Sequence, residues 1–171
     1  MYWQRGEFEK ATAEMQGALR SKPDYAEAHY TLGTVYKQQG KLSESAAELR
    51  EAIRLQPDFA GAHTTLAGVL RQLGDTQGAA EEAKVGAKIV ASTNNLQAAK
   101  VATTSGKRLL LAGDLQGAVS QFRSAINSEP NYAAAHYQLG LALQQSGNRD
   151  ESQKEFQRAA ELDPHLAAPG R

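Results

Sequence analysis

Glycine and proline recur on a single ruler along this chain. Gly6, Gly40 and Gly74 are 34 residues apart, and so are Gly113 and Gly147. Pro23 and Pro57 share that spacing, as do Pro130 and Pro164. Both series break once, by five residues: Gly74 to Gly113 is 39, and Pro57 to Pro130 is 73. His29, His63 and His136 keep the same step and the same break. Three residue types on one period mark an internal repeat, and a repeat fixes architecture before any other property of the chain does.

Each unit reads as two helices. In Ala26–Phe59, small and apolar residues fall at helical spacing from Ala26 to Tyr36 and again from Ser45 to Ile53. Gly40 between them supplies a left-handed residue that ends the first helix cheaply. Pro57 stops the second, since proline lacks the amide that continues a helix. Asp75, Asp114 and Asn148 follow the hairpin glycines of later units. There a side chain can accept from free amides at the start of the second helix. Each helix spans roughly 13 residues, or about 20 Å. One such hairpin cannot bury its apolar face alone, so stability must come from stacking. The helical period, scattered β-branched residues and lack of two-residue hairpins argue against strands.

The pattern resembles the tetratricopeptide repeat family, whose motif carries Leu at position 7, small residues at 8, 20 and 27, rings near 4, 11 and 24, and Pro at 32. The unit at 26–59 matches with His29, Leu32, Gly33, Tyr36, Ser45, Leu49, Ala52 and Pro57. The unit at 60–98 has His63, Leu66, Ala67, Leu70, Ala79, Ala83 and Gly86, with Ala91 at the proline position and the five extra residues. A degenerate unit at 99–132 has Ala102, Ser105, Gly106, Leu109, Ala118, Phe122, Ala125 and Pro130. The unit at 133–166 has His136, Leu139, Gly140, Leu143, Ser152, Phe156, Ala159 and Pro164. Residues 1–25 read as a truncated first unit with Tyr2, Ala11, Met15, Ala18 and Pro23 in step, and 167–171 as a tail. The resemblance implies an all-α fold, a right-handed superhelix of antiparallel helix pairs. The chain then reads as a piece of a longer protein, or as one that covers its uncapped ends by self-association. At the irregular junction, the missing proline predicts a lengthened helix or longer loop with a change in pitch. Ser92, Thr93, Asn94 and Asn95 are expected to make a turn and N-cap before a helix from about Leu96 to Leu111.

In the family, first helices line a concave groove that holds a peptide. Carried over, that surface comprises Tyr30, Thr34, Lys37, Thr64, Arg71, Lys100, Thr104, Lys107, Tyr137, Gln138 and Leu141. Lys37, Arg71, Lys100 and Lys107 face one acid there, Glu27, which predicts an extended partner with acidic side chains or a free carboxylate. Threonines offer donors and acceptors, and Tyr30 and Tyr137 offer flat amphipathic area. The two-carboxylate clamp of chaperone-binding members is absent: its positions hold Tyr30, Thr34, Thr65, Lys100 and Thr104, of which only Lys100 fits. The expected role is a scaffold or adaptor binding protein or peptide, without catalysis. The alternatives are the recruiting arm of a larger enzyme, such as a transferase or peptidase, or a self-assembly spacer.

Composition narrows the rest. Lys plus Arg equals Asp plus Glu, at 19 each, which argues against a general nucleic-acid binder. There is no cysteine, so thiolate metal sites and thiol nucleophiles are excluded. No stretch approaches the length of a membrane span, and compartment is left open. No cofactor or metal is expected. His29, His63 and His136 occupy position 4, one per repeat, too far apart to share a zinc. Thr104-Ser105-Gly106-Lys107 ends like a phosphate loop, but Val101 stands where the first glycine belongs. Glu48, Glu51, Glu81 and Glu82 read as outward helix charges before anything catalytic, with no His or Lys placed to pair with them as an acid/base set. Asp150 and Glu151 suit a helix's first turn.

Overall fold

A computed structural model describes residues 8–167. Gly6 of the ruler, Tyr2 of the partial unit and the tail from Ala168 lie outside them. The described residues form eight helices and no strand. They are α1 (Phe8–Ser21), α2 (Ala26–Gln38), α3 (Leu42–Leu55), α4 (Ala60–Gln72), α5 (Thr76–Leu111), α6 (Leu115–Ser128), α7 (Ala133–Gln145) and α8 (Arg149–Leu162). The chain divides into two compact units, one up to Ala91 and one from Ser92.

Within the first unit, α2 and α3 form a hairpin, α1 packs on α2, and α3 packs on α4. Within the second, α7 and α8 form the corresponding hairpin and α6 packs on α7. The glycines that set the ruler are the hairpin turns: Gly40, Gly74, Gly113 and Gly147 have φ of 74°, 87°, 82° and 82°. The next amide reaches back each time, Lys41 to the Tyr36 carbonyl at 2.9 Å and Asp114 to that of Leu109 at 2.9 Å. This is a Schellman closure, which uses up carbonyls that a helix end leaves free. Asp75 and Asp114 then cap the following helix, each carboxylate accepting from the amide three residues on at 2.8 Å. Asn148 departs from that expectation: its side chain makes no cap bond and donates to Glu151 instead.

Small residues sit where helices cross. A Cβ placed on Gly33 would lie 2.8 Å from Leu49 Cγ, and one on Gly106 would lie 2.5 Å from the Phe122 ring. Gly140 meets Phe156 at 2.8 Å in the same way. Leu49 and Phe122 are fully buried by that approach. Where position 20 is serine, its hydroxyl is satisfied: Ser45 donates to the Gly33 carbonyl at 2.7 Å and Ser152 to that of Gly140 at 2.8 Å.

At the junction the lengthened helix forms and the expected turn does not. No cap forms at Ser92–Asn95. Helix α5 runs unbroken for 36 residues, joining the second helix of one unit to the first helix of the next. At 1.5 Å per residue that is roughly 54 Å. The low helix propensity of Ser, Thr and Asn costs only a few tenths of a kcal/mol each, and residues 87–105 contain neither glycine nor proline to force a stop. Among the described residues the other second helices, α1, α3, α6 and α8, all end two residues before a proline.

Candidate functional site: the first-helix faces

In the first unit, the expected groove residues of α2 and α4 come together. Both glycines of α4, Gly61 and Gly68, make room for side chains from α2. The Tyr30 hydroxyl lies 3.5 Å from where a Gly61 Cβ would be, and Lys37 Nζ lies 3.4 Å from the corresponding point on Gly68. Tyr30 also stacks at a tilt on Phe59, ring centroids 4.7 Å apart. Arg71 and Thr64 are exposed at the surface of α4. In the second unit, Lys100, Thr104 and Lys107 are exposed on the later half of α5. Tyr137, Gln138 and Leu141 are half-buried on α7, with the Tyr137 ring edge-on to Phe156 at 5.6 Å.

The expected residues are therefore divided between the two units. Their hydrogen bonding is more restricted than the sequence implied. Thr34, Thr64 and Thr104 each donate to the carbonyl four residues back, at 2.9 Å. Their hydroxyl protons are spent inside the helix, leaving lone pairs to accept from a ligand. Among the described residues, Lys37, Arg71, Lys100 and Lys107 enter no ion pair. By contrast, exposed Arg54 donates to Glu51 at 2.6 Å, which holds the Glu51 carboxyl below its ordinary value and Arg54 above its own.

The histidines perform a task that sequence reasoning missed. His29 Nε2 lies 3.0 Å from the Pro23 carbonyl, and Nδ1 lies 2.6 Å from Glu48 Oε2. His63 bridges Pro57 and Glu82 at 2.9 and 2.6 Å, and His136 bridges Pro130 and Glu155 at 3.0 and 2.6 Å. A carbonyl can only accept, so Nε2 carries a proton in each case and donates it. Glu48 and Glu82 are thus partners of histidines and not simply outward charges, and Glu51 pairs with Arg54. Each clamp ties the turn before a unit to that unit's second helix. The unit at 99–132 has lost all three parts together: Ala102 and Gln121 occupy the histidine and glutamate positions, and the proline position holds Ala91 counted from the preceding unit or Leu96 counted back from Ala102. The loss is coherent, because inside unbroken α5 there is no turn carbonyl left to receive the proton. The sequence did carry the signal, as a glutamate 19 residues after each of the three histidines.

Among the described residues, no three His, Asp or Glu side chains gather to hold a metal. No helix of the described residues is long and apolar enough to cross a membrane.

Left-handed glycine turns, a turn proline and small residues at each crossing define the unit by geometry as well as by spacing. Models of the tetratricopeptide repeat match residues 1–40 with 106–147, 30–92, and 133–166. The chain belongs to the tetratricopeptide repeat family. No curated protein sequence matches it. Among solved structures it is similar to MamA, 21% identical over 96% of this chain and 93% of that one, with a TM-score of 0.51. It is also similar to YrrB, described as a tetratricopeptide repeat protein with an unusual peptide-binding site, 23% identical over 96% and 84% with a TM-score of 0.50. PilF of Pseudomonas aeruginosa is 18% identical over 99% and 72%, also at 0.50. At these identities the likeness is one of fold. Tetratricopeptide membership makes this chain a protein-interaction module.

Proposed function

We propose that the module binds an extended protein segment bearing acidic side chains or a free carboxylate on its first-helix faces. Tyr30, Thr34, Lys37, Thr64 and Arg71 form the face of the first unit. Lys100, Thr104, Lys107, Tyr137, Gln138 and Leu141 form that of the second. The observation that carries this reading is the set of four cations on these faces, Lys37, Arg71, Lys100 and Lys107, none of which enters an ion pair among the described residues. In a chain whose charges balance overall, their grouping on these faces leaves a local positive field that attracts carboxylates. The tyrosines and the acceptor oxygens of the threonines add amphipathic contact. YrrB's peptide-binding site is a property of that protein, and it makes a peptide the natural first ligand to try.

Titration with pools of acidic and basic peptides tests the reading. Acidic peptides should bind more tightly, and the preference should shrink as salt rises. Reversing Arg71→Glu and Lys107→Glu together should weaken acidic-peptide binding by about tenfold, from roughly 0.2–1 kcal/mol per exposed pair plus new repulsion. Equal binding of both pools, or no loss in the double variant, removes the acidic preference.

A further inference from the structure

On α5, positions that elsewhere pack one repeat on the next are exposed. Elsewhere the second helix of a unit packs on the first helix of the next, as α3 does on α4 and α6 on α7. The residues that receive this packing stand at positions 3 and 10 of the first helix. They are Ala28 and Val35, Ala62 and Val69, and Ala135 and Ala142, all at most 1% exposed. In the unit at 99–132 the same positions hold Val101 and Arg108. Val101 is 60% exposed, and Arg108 is exposed beside it. The delivering positions are 21 and 28 of the second helix. In the unit at 60–98 these are Ala80 and Ala87, both exposed, whereas Ala46 of α3 is buried and Val119 and Ile126 of α6 are packed.

The exposed positions still match each other in size. Position 21 meets position 10 of the next unit as Ala46 with Val69, which share one core cluster, and as Val119 with Ala142, which share another. Position 28 meets position 3 as Ile126 with Ala135. Every level pairs one larger residue with one alanine. Shifted by the period and the five-residue insertion, the same levels on α5 become Ala80 with Arg108 and Ala87 with Val101. Each again holds one larger residue and one alanine, with the larger on the receiving side as in Ala46 with Val69, although Arg108 brings a charge where the other units hold valine or alanine. The pairing in size persists although residues of one continuous helix cannot pack on each other across its length.

We propose that a second copy of this chain completes the interface. Residues 76–91 of each copy's α5 receive residues 96–111 of the other, antiparallel and twofold, so that both pairs of halves are covered at once. Each copy thereby supplies the neighbour that the repeat pattern requires, and the packing of α3 on α4 and of α6 on α7 is reproduced between chains. A second copy is favoured over an unrelated partner because only this chain carries both faces with the matched sizes. This inference is independent of what the first-helix faces bind.

Light scattering of the full chain after size exclusion tests it, at about 100 µM, where a dimer of micromolar Kd is filled. The expected mass is twice 18.4 kDa. Val101→Glu and Ala87→Glu, each on an exposed position, should return the mass to 18.4 kDa with far-ultraviolet ellipticity unchanged. Ala91→Pro restores the missing stop. It should break α5, let the chain turn through the five inserted residues, and give a monomer of nearly the same helicity. A monomeric parent chain overturns the proposal. So does a dimer that survives Val101→Glu and Ala87→Glu, which would place the contact elsewhere, such as at the chain ends. Should Ala91→Pro lose its ellipticity, the two glutamate variants decide.

Discussion

A buried imidazole that bridges a turn carbonyl and a carboxylate is costly to remove. His63 is 5% exposed, and His63→Ala strands the Pro57 carbonyl and Glu82. Each lost hydrogen bond contributes about 0.5–1.5 kcal/mol, so urea denaturation should read a loss of about 1–3 kcal/mol for the two together. A loss below about 0.5 kcal/mol, the range of ordinary surface changes, would show the clamp to be incidental. Gly106 makes a second point. Alanine there is a better helix former, yet its Cβ would meet the Phe122 ring at 2.5 Å, and the ring is fully buried. Overpacking of this kind costs about 1–3 kcal/mol, so Gly106→Ala should lower the urea midpoint despite its propensity gain. The small positions were legible in the sequence because close helix approach leaves few choices. The clamps were not, because a glutamate on a helix looks the same whether it faces water or a ring nitrogen from 19 residues earlier.

Helix boundaries show the same division between what is local and what is not. Turns that use a left-handed glycine and a proline appear where the ruler put them, since each needs a residue type that little else can replace. Asp75 and Asp114 cap as expected, and Asp114→Ala should cost about 1 kcal/mol. Asn148→Ala should cost less, because Asn148 makes no cap bond. Thermal melts of the pair distinguish the two, and equal losses would mean that both side chains cap in solution. The junction was legible only as an irregularity. Ser92-Thr93-Asn94-Asn95 has the composition of a turn, yet a turn needs something to stop the preceding helix, and Ala91 does not. Hydrogen exchange should therefore find one run of protected amides across residues 92–96. Fast exchange confined to that stretch would mean that α5 breaks there.

At the scale of the whole chain, the repeat and its family were readable from spacing alone, since a 34-residue period with fixed glycine and proline positions has few architectural solutions. The binding surface was readable only through the family, which says which helix faces are used but not how one irregular junction redistributes them. Unbroken α5 places Lys37 and Arg71 in one compact unit and Lys100 and Lys107 in the other. Binding should therefore separate by unit. Lys37→Glu with Arg71→Glu, and Lys100→Glu with Lys107→Glu, should each weaken an acidic peptide by several-fold. A short peptide that responds to only one of the two variants occupies a single face, which calorimetric titration reads directly. A peptide indifferent to both would dissociate these cations from binding altogether.

The clamps also make the histidines selective toward acylating reagents. Such reagents attack a ring nitrogen with a free lone pair, and in His29, His63 and His136 both nitrogens face fixed partners. His165 alone among the four histidines stands exposed. Diethylpyrocarbonate should thus label the native chain quickly at His165 and reach the others only as their turns open. The number of labelled histidines then counts, repeat by repeat, how many clamps are closed.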